Sequence, residues 1–276
     1  MQQTVFSRLG QAWSSLAVPI AIVLIWQASS SLGWINPQIL PSPLAVLQKW
    51  LAYWQPLEAY DPSSGAYLSW LLSGELIHDV AASLWRVVLG FALGGGLGLL
   101  LGLFMGVSDP VYRAFNPLIQ FLRPIPPIAW TPLSILWFGL GNPPAVFLIT
   151  IGAFFPILMN TISGVRNVDG IYIRAARNLG ASRATLFRRV ILPAATPFIF
   201  TGARVGMGTA FIVVIVAEMI AVNSGVGYRI MEAREYFWTD KVIAGMVTIG
   251  ILGLLIDMLM QGLNNRLLKW HRGIDQ

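Results

Sequence analysis

Residues 170–200 read GIYIRAARNLGASRATLFRRVILPAATPFIF, and the fold turns on whether this stretch lies inside or outside a membrane. Between positions 166 and 189 there are six arginines and one acid, Asp169, although only 11% of the 276 residues are charged. An arginine at mid-bilayer costs about 2.5–3.5 kcal/mol on insertion scales, whereas a Leu or Ile returns only about 0.5 kcal/mol. Six would cost roughly 15–20 kcal/mol, more than the neighbouring apolar side chains offset. The stretch therefore sits in water or among headgroups, as a loop.

The loop is patterned. Arg174, Arg177 and Asn178 stand at i, i+3 and i+4 and form a polar helical stripe, with Ile171, Ala175 and Leu179 as its apolar neighbour. Gly180 is placed to stop that helix. Ser182 is placed to cap a second one carrying Phe187 and Ile191 on one face, which Pro193 is expected to end. Two short helices about a glycine turn form either a knob for a partner or an amphipathic surface resting on anionic lipid.

Outside the loop the chain is apolar, at 56% hydrophobic residues and mean hydropathy +0.68. Apolar runs near the ~20 residues needed to cross a bilayer occupy 14–34, 87–107, 144–163, 202–222 and 242–263. A sixth candidate, 118–140, is interrupted by prolines. The expectation is an all-α membrane protein of about six spans. A cleaved signal at the N-terminus is the other reading of the first run, but no A-x-A pattern follows it, so an uncleaved span is preferred.

With the N-terminus inside, twelve Lys and Arg fall on the inner side: Arg8, Arg113, Arg123, the six loop arginines, Arg266, Lys269 and Arg272. Lys49, Arg86, Arg229, Arg234 and Lys241, five in all, fall outside. The excess marks the inner side, so both termini are expected in the cytoplasm. It also accounts for the pI near 10 without nucleic acid.

Gly90, Gly94, Gly98, Gly102 and Gly106 recur every four residues in the second span, a groove into which another helix can pack closely. Pro124, Pro126, Pro127 and Pro132 remove backbone donors from the third, which is tolerated only where backbone is buried in protein or lines a watery cavity. Either a pathway-lining kink or a packing kink satisfies that condition. The outer loop 35–79 holds PSPLAVLQKWLAYW, an expected interfacial helix with Trp50 and Trp54, or a contact for an extracytoplasmic partner. Charges inside spans are costly and functional by default. Arg86 either pairs with Glu218 or meets an anion entering from outside. Arg86, Gln120, Arg123 and Thr131 are expected to bias a pathway toward anions, with Glu218 beside it.

Several chemistries are excluded. No cysteine is present, so there is no disulfide and no thiolate ligand or nucleophile. A Walker A loop needs Gly-Lys-Ser/Thr, but Lys49, Lys241 and Lys269 follow Gln48, Asp240 and Leu268. His78 and His271 lie far apart, and neither a G-x-S-x-G elbow nor an H-E-x-x-H pair occurs.

The segment RAARNLGASRATLFRRVILPAATP resembles the EAA loop of binding-protein-dependent ABC importer permeases, with Ala175, Ala176, Gly180, Leu192 and Pro193 matching. RPIPPIAWTPLSILWFGLG, RAARNLGASRA and VAEMIAVNSGVGY look most like the nitrate/sulfonate/taurine/bicarbonate branch, and the likeness covers about two thirds of the chain. Arg174 stands where many members have the glutamate, so that acid's role does not transfer. The resemblance implies a type I (MetI-like) permease of a bacterial inner membrane, with no enzymatic activity of its own. It would work as a homodimer with two cytoplasmic ABC ATPase subunits, which hold ATP and Mg, and an extracytoplasmic binding protein. The coupling loop would be Arg174, Ala175, Ala176, Arg177, Gly180, Ser182, Phe187 and Pro193. Residues 1–77 are expected to hold the first span and outer loop, 78–270 the core permease with its loop at 166–193, and 271–276 a cytoplasmic tail. A secondary anion transporter or channel not driven by ATP, and a membrane scaffold without transport, are the alternatives of other classes.

Overall fold

The computed structural model describes residues 2–56, 58–60 and 67–267, and the side chains from position 17 onward. The expected tail 271–276, with Lys269, His271 and Arg272, lies outside the described residues. The described residues form helices joined by turns and irregular segments, with no strand among them. Four helices are long and apolar enough to cross a membrane: Glu75–Val107, Asn142–Arg166, the continuous run Arg183–Ala221, and Thr239–Leu267. Two shorter apolar helical stretches occur at Ala17–Ser31 and Pro127–Phe138. The chain divides into two compact units.

The first unit is Met1–His78 with Arg229–Thr248. It holds α1 (Gln2–Ser31), α2 (Pro43–Trp54) and α3 (Tyr67–Leu71). Ser42 caps α2 by accepting from the Ala45 amide, and Pro43 occupies the first turn, where no donor is missed. Trp50, expected at a membrane interface, donates from Nε1 to the Thr248 hydroxyl at 2.9 Å. The Lys241 ammonium lies 4.9 Å from the Tyr53 ring centre.

The second unit is Asp79–Tyr228 with Ile249–Gln276. It takes most of α4 (Glu75–Val107), then α5 (Asp109–Leu122). The third expected span is not one helix. After α5 come a 3-10 turn at Pro127–Trp130 and α6 (Thr131–Phe138), because Pro124, Pro126 and Pro127 cannot donate to the preceding turn. Then follow α7 (Asn142–Arg166), α8 (Gly170–Asn178), α9 (Arg183–Leu186) and α10 (Leu192–Ala221). The unit also takes the start of α11 (Val226–Glu235) and the later part of α12 (Thr239–Leu267), whose other residues belong to the first unit.

Helix α7 is the centre of this unit. Its Leu148, Ile149, Ala153 and Ile157 are buried against Val87 of α4 and Ala210, Val214 and Ala217 of α10. The glycine ladder of α4 is the seam. A Cβ at Gly98 would stand 2.7 Å from the Phe154 carbonyl oxygen, and one at Gly102 2.7 Å from Thr161 Cβ. A Cβ on Gly94 would run into the Thr150 carbonyl. A second seam, which the sequence reading missed, joins α7 to α10: Gly202 faces the Pro156 carbonyl and Gly206 that of Ala153. Met105 of α4, Ile119 of α5, and Leu158 and Ile162 of α7 form a smaller core.

Gly94→Leu is expected to destabilise the bundle by about 1–3 kcal/mol, the usual cost of overpacking. Gly96, whose Cβ would meet nothing within 4 Å, should accept the same change. Denaturation midpoints of the two variants in detergent check the contrast.

Candidate functional site

The loop between α7 and α10 is built as a rigid projection. Asp169 caps α8 by accepting from the Ile171 amide at 2.8 Å. At its far end Gly180 has φ +78°, its amide donates to the Arg177 carbonyl, and the Ala181 amide donates to that of Ala176. This paired closure needs a left-handed residue, which is why glycine stands there. Ser182 Oγ then accepts from the Thr185 amide at 3.2 Å and starts α9. Leu186 is buried and anchors the loop.

Pro193 does not end the second helix, contrary to expectation. Residues Phe187–Ile191 form a π turn in which the Leu192 amide reaches back to the Phe187 carbonyl. That wider turn admits Pro193, which has no amide hydrogen, in the first turn of α10. The loop thus runs without a joint into a spanning helix. Its exposed face is apolar: Leu179 is 89% exposed, Tyr172 64% and Ile171 60%, with Ala175 between them. Arg174 and Arg177 are exposed beside this face, and Ala176 is half-buried. Behind it lies a cavity of about 480 Å³ lined by Arg166, Arg177, Arg183 and Phe187. Arg166 closes α7 by pairing with Asp109 at 2.8 Å and stacking 4.3 Å over the Tyr112 ring.

At the opposite end of the same unit, Arg86 and Glu218 do pair, at 2.7 Å, with side chains 3% and 0% exposed. Arg86 also donates to Asn142 Oδ1 at 2.7 Å, to the Ser224 carbonyl at 2.9 Å and to its hydroxyl at 2.6 Å. Glu218 accepts from the Ser83 hydroxyl and the Gly227 amide. Asp79 accepts from the Gly225 amide, and Ser83 from that of Val226. One buried network therefore joins α4, the start of α7, the end of α10 and the turn after it. Glycine is needed at 225, where φ is +105° and a Cβ would enter the Glu218 carboxylate. Of these residues the sequence pointed to Arg86 and Glu218. Ser83, Asn142 and Ser224 carried no signal, being ordinary polar residues until folding surrounds them with buried charge.

The other expected pathway residues are scattered. Thr131 is buried and its hydroxyl donates to the Ile128 carbonyl at 2.7 Å. Gln120 is exposed on α5. Arg123, counted above among the inner-side arginines, ends α5 and lines a cavity of about 520 Å³ beside α7 and α10. Arg204 and Asp257 form a two-pronged pair at 2.9 and 2.8 Å between α10 and α12.

Spanning helices, a stiff projection between two of them and charges neutralised inside the bundle describe a membrane transport subunit. Residues 94–269 match the family of binding-protein-dependent transport system inner membrane components. The chain is 42% identical over 254 residues to the putative aliphatic sulfonates transport permease protein SsuC of Escherichia coli (strain K12), covering 92% of this chain and 90% of that one. It is 35% identical to the taurine transport system permease protein TauC of the same organism, with 95% and 90% covered. The nitrate import permease protein NrtB of Leptolyngbya laminosa is 38% identical over 67% of this chain and 66% of its own length. Among solved structures, the inward-facing MetNI methionine ABC transporter has a TM-score of 0.55 at 21% identity, over 68% of this chain and 94% of that one, a likeness of fold alone. The chain belongs to the family of ABC importer permeases: it is a non-enzymatic inner-membrane transport component with the MetI-like fold.

Glu218→Leu, which leaves Arg86 buried without its counter-charge, is expected to cost about 3–5 kcal/mol. Adding Arg86→Met should recover a measurable part, because no charge is then stranded. Detergent unfolding of the single and double variants checks both signs.

Proposed function

We propose that this chain is the permease of an ATP-driven importer that takes a small oxyanion from an extracytoplasmic binding protein. The cargo class is a short sulfonate such as taurine, nitrate or bicarbonate. The importer is a homodimer of this chain with two cytoplasmic ABC ATPase subunits, where ATP and Mg reside. Both termini and the loop 166–193 face the cytoplasm, which the twelve-to-five distribution of Lys and Arg supports.

The observation that carries this reading is the outward apolar face of α8, on a loop continuous with α10. Leu179, Tyr172 and Ile171 are large, exposed and held by caps at both ends, so ordering them on binding costs little further entropy. A partner that grips them moves α10 directly. Arg174, Ala175, Ala176, Arg177, Gly180, Ser182, Phe187 and Pro193 form this coupling loop. Its arginines keep it at the headgroup level, where lipid phosphates add a second attraction. The relatives' transport of sulfonates, taurine and nitrate supports an anion as cargo. On this view Arg86 and Glu218 frame the outer end of the pathway, Thr131 shapes the break in the third span, and Gln120 and Arg123 stand along its inner half.

Leu179→Asp should weaken ATPase docking by roughly thirtyfold, as loss of one anchor of about 2 kcal/mol does. Copurification from mild detergent reads this, and the permease itself should remain at its normal level in the membrane. Uptake that survives ATP depletion with ion gradients clamped would point instead to a secondary transporter.

A further inference from the structure

Three arginines within the spanning helices are paired, whereas Arg113, Arg123 and Arg266 have no partner among the described residues, and of these three only Arg123 lines a described cavity. Arg86, Arg166 and Arg204 each hold a carboxylate, at 2.7, 2.8 and 2.8 Å. Arg123 holds none: among the described residues its guanidinium has no hydrogen bond, ion pair or ring contact. An arginine ending a helix commonly serves the carbonyls there, but Arg123 makes no such bond. Only its backbone amide is engaged, with the Ile119 carbonyl.

Its surroundings are those of a binding site. The cavity of about 520 Å³ reaches from the broken third span to α7 and α10, and among the described residues Arg123 is the only charged one in its wall. No carboxylate lines it, so the local field is positive and would admit an anion while repelling a cation. Ser163 lines it too, with a hydroxyl that has no partner among the described residues. Asn160 uses one amide hydrogen on the Pro156 carbonyl and keeps the other. A planar fork, a hydroxyl and an amide hydrogen are donors without an acceptor. That set matches the several oxygens of a sulfonate, nitrate or carbonate group.

We propose that Arg123 and Ser163, which both line this cavity, form an oxyanion halt site within the permease. It rests on the import reading above and deepens it, because selection would then occur in the membrane as well as at the binding protein. The break in the third span has a purpose here. The helix ends at Arg123, and the prolines that follow break the third span, leaving this charge exposed beside the cavity.

The probe is methanesulfonate, with dimethyl sulfone as its neutral analogue of similar shape, added to the detergent-purified complex while thermal unfolding is followed. Wild type should be stabilised by methanesulfonate and not by the sulfone. Arg123→Gln should bind methanesulfonate roughly tenfold or more weakly, the usual effect of losing a charged hydrogen-bond donor. Equal stabilisation of both proteins, or none of wild type, overturns the site. Stabilisation by phosphatidylglycerol in place of methanesulfonate overturns it too, in favour of a lipid headgroup. Should Arg123→Gln fail to assemble, Ser163→Asp places a carboxylate at an exposed position in the same cavity wall, where its charge opposes an incoming anion. Its response to methanesulfonate should vanish, and a retained response sinks the proposal. The import reading fails by a different result, namely uptake unaffected by ATP depletion, which leaves the methanesulfonate response untouched.

Discussion

Close backbone contact along α7 is the constraint from which the rest follows. In hydrocarbon, two apolar helices gain little by hiding from water, since lipid tails are as apolar as they are. Association then depends on dispersion between surfaces that fit, and such fit is best where side chains are absent. Helix α4 offers a glycine at every fourth residue from Gly90 to Gly106, and α10 offers Gly202 and Gly206 on the other side of α7. Three backbones meet within van der Waals range, and the pairing leaves little freedom to slide.

That rigidity gives the two ends of the bundle their meaning. At one end, Arg86 and Glu218 are held with Ser83, Asn142 and Ser224, so that two buried charges find partners for their donors and acceptors. Such a network contributes less to net stability than its short distances suggest, since desolvation opposes the attraction. Its greater effect is to set which ends of α4, α7 and α10 meet. At the other end, the capped loop passes through a π turn into α10. A force on Leu179 therefore reaches a spanning helix whose neighbours are already locked. A flexible connection would absorb that force.

Much of this was legible beforehand. Six arginines in a chain of 11% charge forced the loop out of the bilayer, because the insertion cost admits no other place for them. The four-residue glycine period announced a packing face and the structure put α7 on it. Gly180 and Ser182 announced their turn and cap for the same reason: each is a local device, decided by residues within five positions. Pro193 shows the limit of such inference. A proline tells where a donor is missing, but whether the chain stops or widens its turn depends on the helices packed around it.

Local period, charge cost and cap chemistry act along the chain, so the amino-acid sequence by itself determined four of the apolar spans and the caps and glycine turn of the loop. Partnership between charges was settled only by tertiary structure. Arg86 finds Glu218 across 132 positions and Arg204 finds Asp257 across 53, while Arg123, no different in kind, finds no partner among the described residues. Which helices are neighbours, and which way each is turned about its axis, has no trace in a one-dimensional pattern. That rotation separates an arginine that holds the bundle together from one left facing a cavity.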